Sequence, residues 1–456
     1  MAILTEQHAK ELLTKVLSYS KADECECNLD GSLSGNIRYA RNTVTTAGES
    51  ADVVLSVQST FGKRTGTATI NEFDNASLKK VVRRAEELAR LVPENPEHMP
   101  VWGPQKYLKA GNYAKSTADV APVDRAKAAD ASITPSKKNK LIASGFLADE
   151  VSFTAIMNSK GLFAYNVSTS VDFSVTIRTE DGKGSGWASS DYTDAAKMDT
   201  EKVSNVAIDK SIRSATAKAM EPGKYTVILE PAASVQLLTN MTGNMSQRSA
   251  DEGRSFLSIP VKDSAKEDAK EGEKAGPTNK LGEKMFDERV NIYSDPQHSE
   301  VPTAPFASDG HAVEKMYWVK NGAIANLPNS AYWAKKTKSA YNPTAQGNEQ
   351  IIMAGGSESL EEMIKNTRRG ILITRLWYIR QLDPQSLLYT GLTRDGTFYI
   401  ENGKIKHPVK NFRFNESPIV MLNNIEALGI PERTNGCMIP PMKIRDFTFS
   451  SLSDAV

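Results

Sequence analysis

The side chains most often recruited for chemistry are sparse in this sequence. Its five histidines, His8, His98, His298, His311 and His407, stand far apart. A zinc site needs histidine, cysteine or carboxylate ligands that converge, often from one helix or tight turn. Neither an H-E-x-x-H nor a C-x-x-C is present. Cys25 and Cys27 are two apart, which places both on one face of a strand, with nothing nearby to complete a ligand set. His311 with Glu314 comes nearest to a ligand pair, and a hydrogen-bonded or surface histidine explains it more simply. No G-x-S-x-G elbow occurs, and a Ser/His/Asp triad cannot be built from spacing alone. Gly62-Lys-Arg-Thr-Gly lacks the spacing of a phosphate loop, and Gly182-Lys-Gly-Ser-Gly suits a flexible hairpin end. What remains is Arg375, Arg380 and Arg394, the first two close to Trp377 and Tyr378. With carboxylates around an enclosed site they would make a self-sufficient hydrolase. Otherwise they belong to an interface or a core.

The elements that would hold such residues belong to an ordinary globular chain. Its 456 residues carry 56 basic and 55 acidic side chains, for a net charge of +1. That balance gives no long-range attraction to nucleic acid or an anionic membrane. The basic run Lys79-Lys80-Val-Val-Arg83-Arg84 is followed by Glu86 and Glu87, so pairing within a solvated helix face accounts for it. Three cysteines do not make a disulfide framework, which points to a reducing compartment and hence the cytoplasm. The first residues show no signal peptide, and no run reaches the roughly 18 apolar residues a spanning helix needs.

Periodicity places the elements. Thr5 caps a helix with Ala9, Leu12, Leu13, Val16 and Leu17 on one face. Residues 38–69 turn strand-like, with a hairpin around Phe61-Gly62-Lys63, and a second amphipathic helix carries Leu78, Val81, Val82, Ala85, Leu88 and Ala89. A Pro-rich connector runs to about 119. A helix is expected from 122 to about 132, ending before Pro135, then strands over 151–188 and a helix over 199–220. Glu221-Pro222-Gly223 marks the main boundary. Residues 1–222 thus form an N-terminal α+β region, divisible into 1–110 and 119–222, and 223–456 a C-terminal domain. In the latter, Tyr225-Thr-Val-Ile-Leu-Glu is a buried strand, Pro231 starts a helix, and residues 262–280 read as a mobile insertion. Two hairpins turn on Asn321-Gly322 and Asn402-Gly403. The class is α+β, a mixed helix and sheet region followed by a mostly antiparallel, sheet-rich domain.

Several segments together resemble the TldD/PmbA family, known as modulators of DNA gyrase, whose metallated members are zinc peptidases. They are Ile37-Arg-Tyr-Ala-Arg-Asn, Gly62-Lys-Arg-Thr-Gly-Thr-Ala, Asp251-Glu-Gly-Arg-Ser-Phe, Phe306-Ala-Ser-Asp-Gly, the stretch from Arg369 to Arg380, Gly391-Leu-Thr-Arg-Asp-Gly, and Pro408 to Ser417. The resemblance implies that the zinc motif H-E-x-x-x-H would fall on Thr239-Asn240-Met241-Thr242-Gly243-Asn244, where only the glycine is kept. Cys437 lies in the region of the third ligand. The chain is therefore similar to the PmbA or TldE branch, which lacks the motif. The resemblance implies a homodimer, or a heterodimer with a metallated TldD-like subunit that supplies the zinc, acting on unfolded or flexible polypeptide. No cofactor is then expected in this chain. Thr239, Asn240, Asn244, Arg375, Tyr378, Arg380 and Arg394 become candidates for contact with substrate. Two other readings stand beside it: the self-sufficient hydrolase, and a regulatory binding protein of a topoisomerase or toxin system. Direct DNA contact is the weakest part of the last, for want of a basic stripe with interleaved aromatics.

Overall fold

A computed structural model describes residues 3–259, 278–344 and 350–453. It opens with α1 (Glu6–Leu17), then β1 (Glu24–Ala40), β2 (Thr43–Phe61) and β3 (Arg64–Ile70), and α2 (Asn75–Leu91). After an extended connector come α3 (Lys115–Ala118), α4 (Pro122–Lys138), β4 (Leu141–Asn158), β5 (Phe163–Thr179), β6 (Ser185–Tyr192) and α5 (Thr200–Ser214). The strands form one antiparallel sheet in the order β3-β2-β1-β4-β5-β6. Thr5 caps α1 as expected, and Asp74 caps α2 through the Ala76 and Ser77 amides.

The sheet is covered on one face by two pairs of helices. α1 and α2 bury Leu13, Val16, Leu78 and Val82 against Cys25, Cys27, Leu29 and Phe153. α4 and α5 bury Ala128, Ile133 and Ala207 against Ile37, Tyr39, Phe173 and Val175. Between them lies buried Arg125, held by Asp149 through Nε at 2.6 Å and by Glu49 at 2.8 Å. Gly35 sits directly over its guanidinium, where a Cβ would fall 1.8 Å from an arginine nitrogen.

Three expectations are corrected here. α4 does not stop before Pro135 but runs through it to Lys138. The proline falls in the last turn, so the helix forgoes one i→i−4 bond and has only three residues left to run, and Asn139 closes the end through Nδ2 on the Pro135 carbonyl. α5 ends at Ser214, not near 220, because the Ser214 hydroxyl is tied to the Ser185 backbone and Lys218 pairs with Pro408 and Lys410. On α2 the ion pairs are Arg84–Glu87 and Arg90–Glu86, and Glu86 is buried, accepting from the Lys21 amide at 2.6 Å.

The remainder holds two more sheets. β7 (Gly223–Leu229) leads into α6 (Pro231–Gly243) and α7 (Gln247–Asp251). Then come β8 (Ile292–Ser294), β9 (Met316–Lys320), β10 (Ala323–Ile324), β11 (Ile352–Met353), β12 (Arg369–Asp383), β13 (Leu388–Glu401), β14 (Lys404–Pro408), β15 (Phe412–Glu416), β16 (Ile425–Leu428), β17 (Glu432–Thr434), β18 (Cys437–Ile439) and β19 (Met442–Leu452). The circuit β12-β7-β19-β15-β13 closes on itself because β12 also pairs with β13, giving a barrel with β14 and β16 attached. The other sheet runs β10-β9-β8-β11-β18-β17. Both Asn-Gly hairpins form, with positive φ at Asn321, Gly322, Asn402 and Gly403. One core of Val235, Leu238 and Met241 from α6 with Ile292, Ile351, Ile373, Phe414 and Phe447 serves barrel and sheet together. The architecture is α+β, as expected. The reading of 262–280 as a mobile insertion lies, but for its last three residues, outside the described residues. No described helix is long and apolar enough to cross a membrane.

Candidate functional site

α6 is built to present its C-terminal end. Pro231 at its first position pre-sets φ, and Ala233, Val235, Leu237, Leu238 and Met241 anchor the rest in the core. The 239–244 window therefore emerges at the core's edge. Thr239 and Asn240 are half-buried, and Thr242 is buried. Their polar atoms turn inward on the helix: Thr239 Oγ1 donates to the Gln236 carbonyl at 3.2 Å, and Thr242 Oγ1 to the Thr239 carbonyl at 3.1 Å. Asn244 Nδ2 donates to the Asn240 carbonyl at 2.7 Å and to Tyr389 Oη at 3.3 Å, which also accepts from Gln381.

This donor set does not fit zinc. Hydroxyls and carboxamides occupy the positions, without an imidazole or carboxylate among them, and those of Thr239, Thr242 and Asn244 are engaged with backbone. Asn240 also lacks the basicity of a carboxylate, so it cannot take a proton from water. Cys437, buried on β18, would be the single thiolate.

Beside this helix end lies a cavity of about 620 Å³, within the size range of small-ligand pockets. Thr242, Gly243, Met245 and Ser246 form one wall, and Ser294, Met316, Trp318, Asn329, Tyr341 and Gln350 much of the rest. Trp318 Nε1 donates to Ser294 Oγ at 2.9 Å, which fixes part of the lining. The cavity thus mixes apolar side chains with hydroxyls, amides and the Glu314 carboxylate, and among the described residues no hydrogen bond holds a nucleophile against a base in it.

Tyr341 is fixed from outside the cavity. Its hydroxyl donates to Asp309 Oδ2 at 2.6 Å, and Trp102 Nε1 donates to the same oxygen at 2.7 Å. The Trp102, His311 and Tyr341 rings lie 4.8–5.3 Å apart. Tyr107 Oη donates to the Gly310 carbonyl at 2.7 Å, and Phe306 packs with Ile156, Leu162 and Ala164. The connector between α2 and α3 is thereby bound to the cavity wall. His311, once the nearest candidate ligand, is an aromatic partner here. Burial first, and then Asp309, pushes the Tyr107 phenol up to about 12 and the Tyr341 phenol well above its ordinary value, so both remain neutral donors.

Glu26 faces the same acid. Burial, with the charge of Asp309 adding to it, pushes its carboxyl up to about 7 from 4.5. A folded-state value above the unfolded one means the folded chain holds a proton that the unfolded chain releases. Stability from this group is therefore greatest below about pH 4.5, falls as pH rises towards 7 and is flat above. We expect Glu26→Gln to stabilise the chain by up to about 3 kcal/mol at pH 8 and by nothing at pH 4, measured by urea unfolding. Equal effects at both pH values would contradict this.

The arginines form a second constellation. Arg375 and Arg394 are directly opposite across β12 and β13. Arg375 Nε donates to Asp395 Oδ2 at 2.7 Å, and Arg394 Nε lies 3.7 Å from the same oxygen. Asp395 is fully buried in a left-handed conformation, φ 55°, followed by Gly396, and Ser185 Oγ on β6 donates to its other oxygen. The guanidinium of Arg375 stacks on Trp187 and that of Arg394 on Trp377. Tyr378 and Arg380 are exposed and pair with each other, 4.3 Å from guanidinium carbon to ring centre. None of these four residues lines the cavity at α6. The structure thus brings Arg375 to Arg394 and Tyr378 to Arg380, and links the helix end to Gln381 through Tyr389. Sequence reasoning missed Trp102, Asp309 and Tyr341. The lone tryptophan in a polar connector was the available signal.

Three family models match the chain in order: the PmbA/TldA metallopeptidase domain 1 over residues 27–89, the central domain over 114–219 and the C-terminal domain over 222–451. The chain belongs to the PmbA/TldD metallopeptidase family. Among its PmbA/TldD relatives, a metalloprotease from Methanothermobacter thermautotrophicus is 23% identical over 62% of this chain and 61% of its own length. The metalloprotease PmbA of Escherichia coli O157:H7 is 27% identical over 36% of this chain and 37% of its own. The matches therefore span from about a third to three fifths of these relatives. Two solved structures share the PmbA/TldD fold across it: TldE from Thermococcus kodakarensis, with 18% identity and a TM-score of 0.83, covers 97% of this chain and 100% of its own. A protein described as a modulator of DNA gyrase from Bacteroides thetaiotaomicron, with 21% identity and a TM-score of 0.82, covers 99% and 100%.

Proposed function

We propose that this chain is the non-metallated, TldE-like subunit of a two-component cytoplasmic peptidase, shaping the substrate cavity while a TldD-like partner supplies zinc. The observation that carries the reading is the end of α6. There a formed cavity is lined by Thr242 and Gly243 of a window whose polar side chains are hydroxyls and carboxamides, those of Thr239, Thr242 and Asn244 bonded to backbone and Tyr389. The likeness to a TldE structure supports it. The substrate is flexible polypeptide, whose side chains the mixed lining accommodates through Trp318, Met316 and Met245 with Ser294, Asn329 and Gln350. Thr242 and Gly243 of the window line that space, whereas Thr239, Asn240 and Asn244 lie outside the lining and act as structural residues of the helix end.

Co-expression with a family member bearing H-E-x-x-x-H tests the assembly. A stable complex of the two chains on size analysis, with no cleavage of unstructured peptide by this chain alone, is the expected result. Chelator-sensitive cleavage by the purified chain would overturn the reading.

A further inference from the structure

In the hairpin of β1 and β2 the helices cover β1 as far as Tyr39, but they leave the turn-side half of β2 uncovered. β2 pairs with β1 along its whole length, from Thr43 to Thr60, but with β3 only from Leu55 to Phe61. Residues 43–54 therefore have a partner on one edge only. On residues 43–52 every side chain is exposed, whichever face of the strand it occupies, so no other element lies over this half of β2. Its local contacts are few: Thr45 Oγ1 donates to the Arg38 carbonyl, Ser50 pairs with Ser34, and Glu49 reaches Arg125.

An open edge of this length, about 40 Å at ~3.3 Å per residue, is a template for another strand. Proteins normally blunt such edges with lysine, proline or a bulge. Residues 43–54, Thr-Val-Thr-Thr-Ala-Gly-Glu-Ser-Ala-Asp-Val-Val, contain neither lysine nor proline. The one irregularity in the ladder leaves Thr45 unpaired between Val44 and Thr46, so the regular part of the open edge runs from Thr46 to Val54.

We propose that this edge binds an extended polypeptide segment as an added strand. The side chains select that occupant over a second copy of the chain. A permanent subunit interface is built on a contiguous apolar core, and Val44 is the single large apolar residue exposed along residues 43–52. Pairing through main-chain hydrogen bonds needs no such core and tolerates many sequences, because every residue but proline offers an N–H and a C=O. Glu49 is already paired with Arg125, and Asp52 is the other charged side chain of the stretch, so a segment carrying lysine fits better than an acidic one. This deepens the proposed function and rests on that reading of the chain as a handler of flexible polypeptide.

The test uses the full chain and a capped twelve-residue peptide of three Ser-Val-Thr-Lys repeats, followed by hydrogen exchange. Free, the outward amides of residues 43–54 should exchange fast. With saturating peptide they should slow about tenfold or more, and a peptide N-methylated at alternate residues should lose the effect. Successive N–H groups of a strand point to opposite edges, so one of Thr46→Pro and Ala47→Pro removes an outward donor. That variant should abolish peptide protection and leave the β1–β2 amides protected. Three results would overturn the inference: no slowing in residues 43–54, equal protection by the N-methylated peptide, or a stretch already slow in a free chain of dimeric mass. The last would make a second copy the occupant. Assembly with a metallated partner is scored separately. If it forms while the peptide leaves the edge untouched, only this inference falls. If the edge is protected but no complex forms, only the proposed function falls.

Discussion

Asp395→Ala should destabilise the chain by about 3–5 kcal/mol, the range for breaking a buried ion pair, or roughly 3–5 °C in Tm for a chain of this length. Its carboxylate is fully buried and serves Arg375, Arg394 and Ser185 at once. Burial already pulls the Arg375 guanidinium below its ordinary value, with Asp395 opposing that pull. Without the carboxylate, two guanidiniums face each other across β12 and β13 and lose the buried negative charge they share. The contact also joins the barrel to β6 through Ser185, so part of the docking between the two regions goes with it. Ser185→Ala, which removes a neutral donor only, should cost about 1 kcal/mol. Calorimetry on both variants checks the ordering. An Asp395→Ala protein melting within about 2 °C of the parent would show that the arginines find other partners.

Filling the cavity from the helix end should have a comparable effect on function. Gly243 is exposed and stands on the cavity wall. Gly243→Phe would place a ring into a space of about 620 Å³ without disturbing Leu238 or Met241 in the core. In the complex with a metallated partner, kcat/KM for an unstructured peptide should fall about tenfold or more, since the lost interactions lie along the substrate's path to the transition state. Zinc content and complex formation should be unchanged. Undiminished turnover would mean that the substrate does not enter this cavity.

What could be read in the sequence follows the range of the interactions. α1, α2 and the start of α6 were legible because a cap or a proline precedes a 3.6-residue stripe, and both Asn-Gly hairpins because the turn is encoded in two residues. The early part of β4 was not. Gly145 interrupts its pattern because Tyr39 fills the space over it, a contact that lies more than 100 residues away in sequence. Gly35 interrupts β1 for the same kind of reason, beneath Arg125. Pro135 misplaced a helix end because a breaker in the last turn breaks little. At the site, the window 239–244 was located through the family resemblance, and its hydroxyl and amide chemistry followed from composition. The clasp of Trp102, Asp309 and Tyr341 joins residues up to 239 positions apart, and local pattern does not carry such a contact. The cavity itself draws its walls from many short segments, so its volume becomes visible only in three dimensions.

The account turns on where the zinc resides. The most direct measurement is metal content and peptide cleavage for three preparations: this chain alone, a metallated partner alone, and the two co-purified. The account predicts zinc in proportion to the partner, cleavage in the complex, and no change in metal content when Asn240→Ala is made in this chain. Stoichiometric zinc in the isolated chain, lost with Asn240→Ala and accompanied by cleavage, would contradict it.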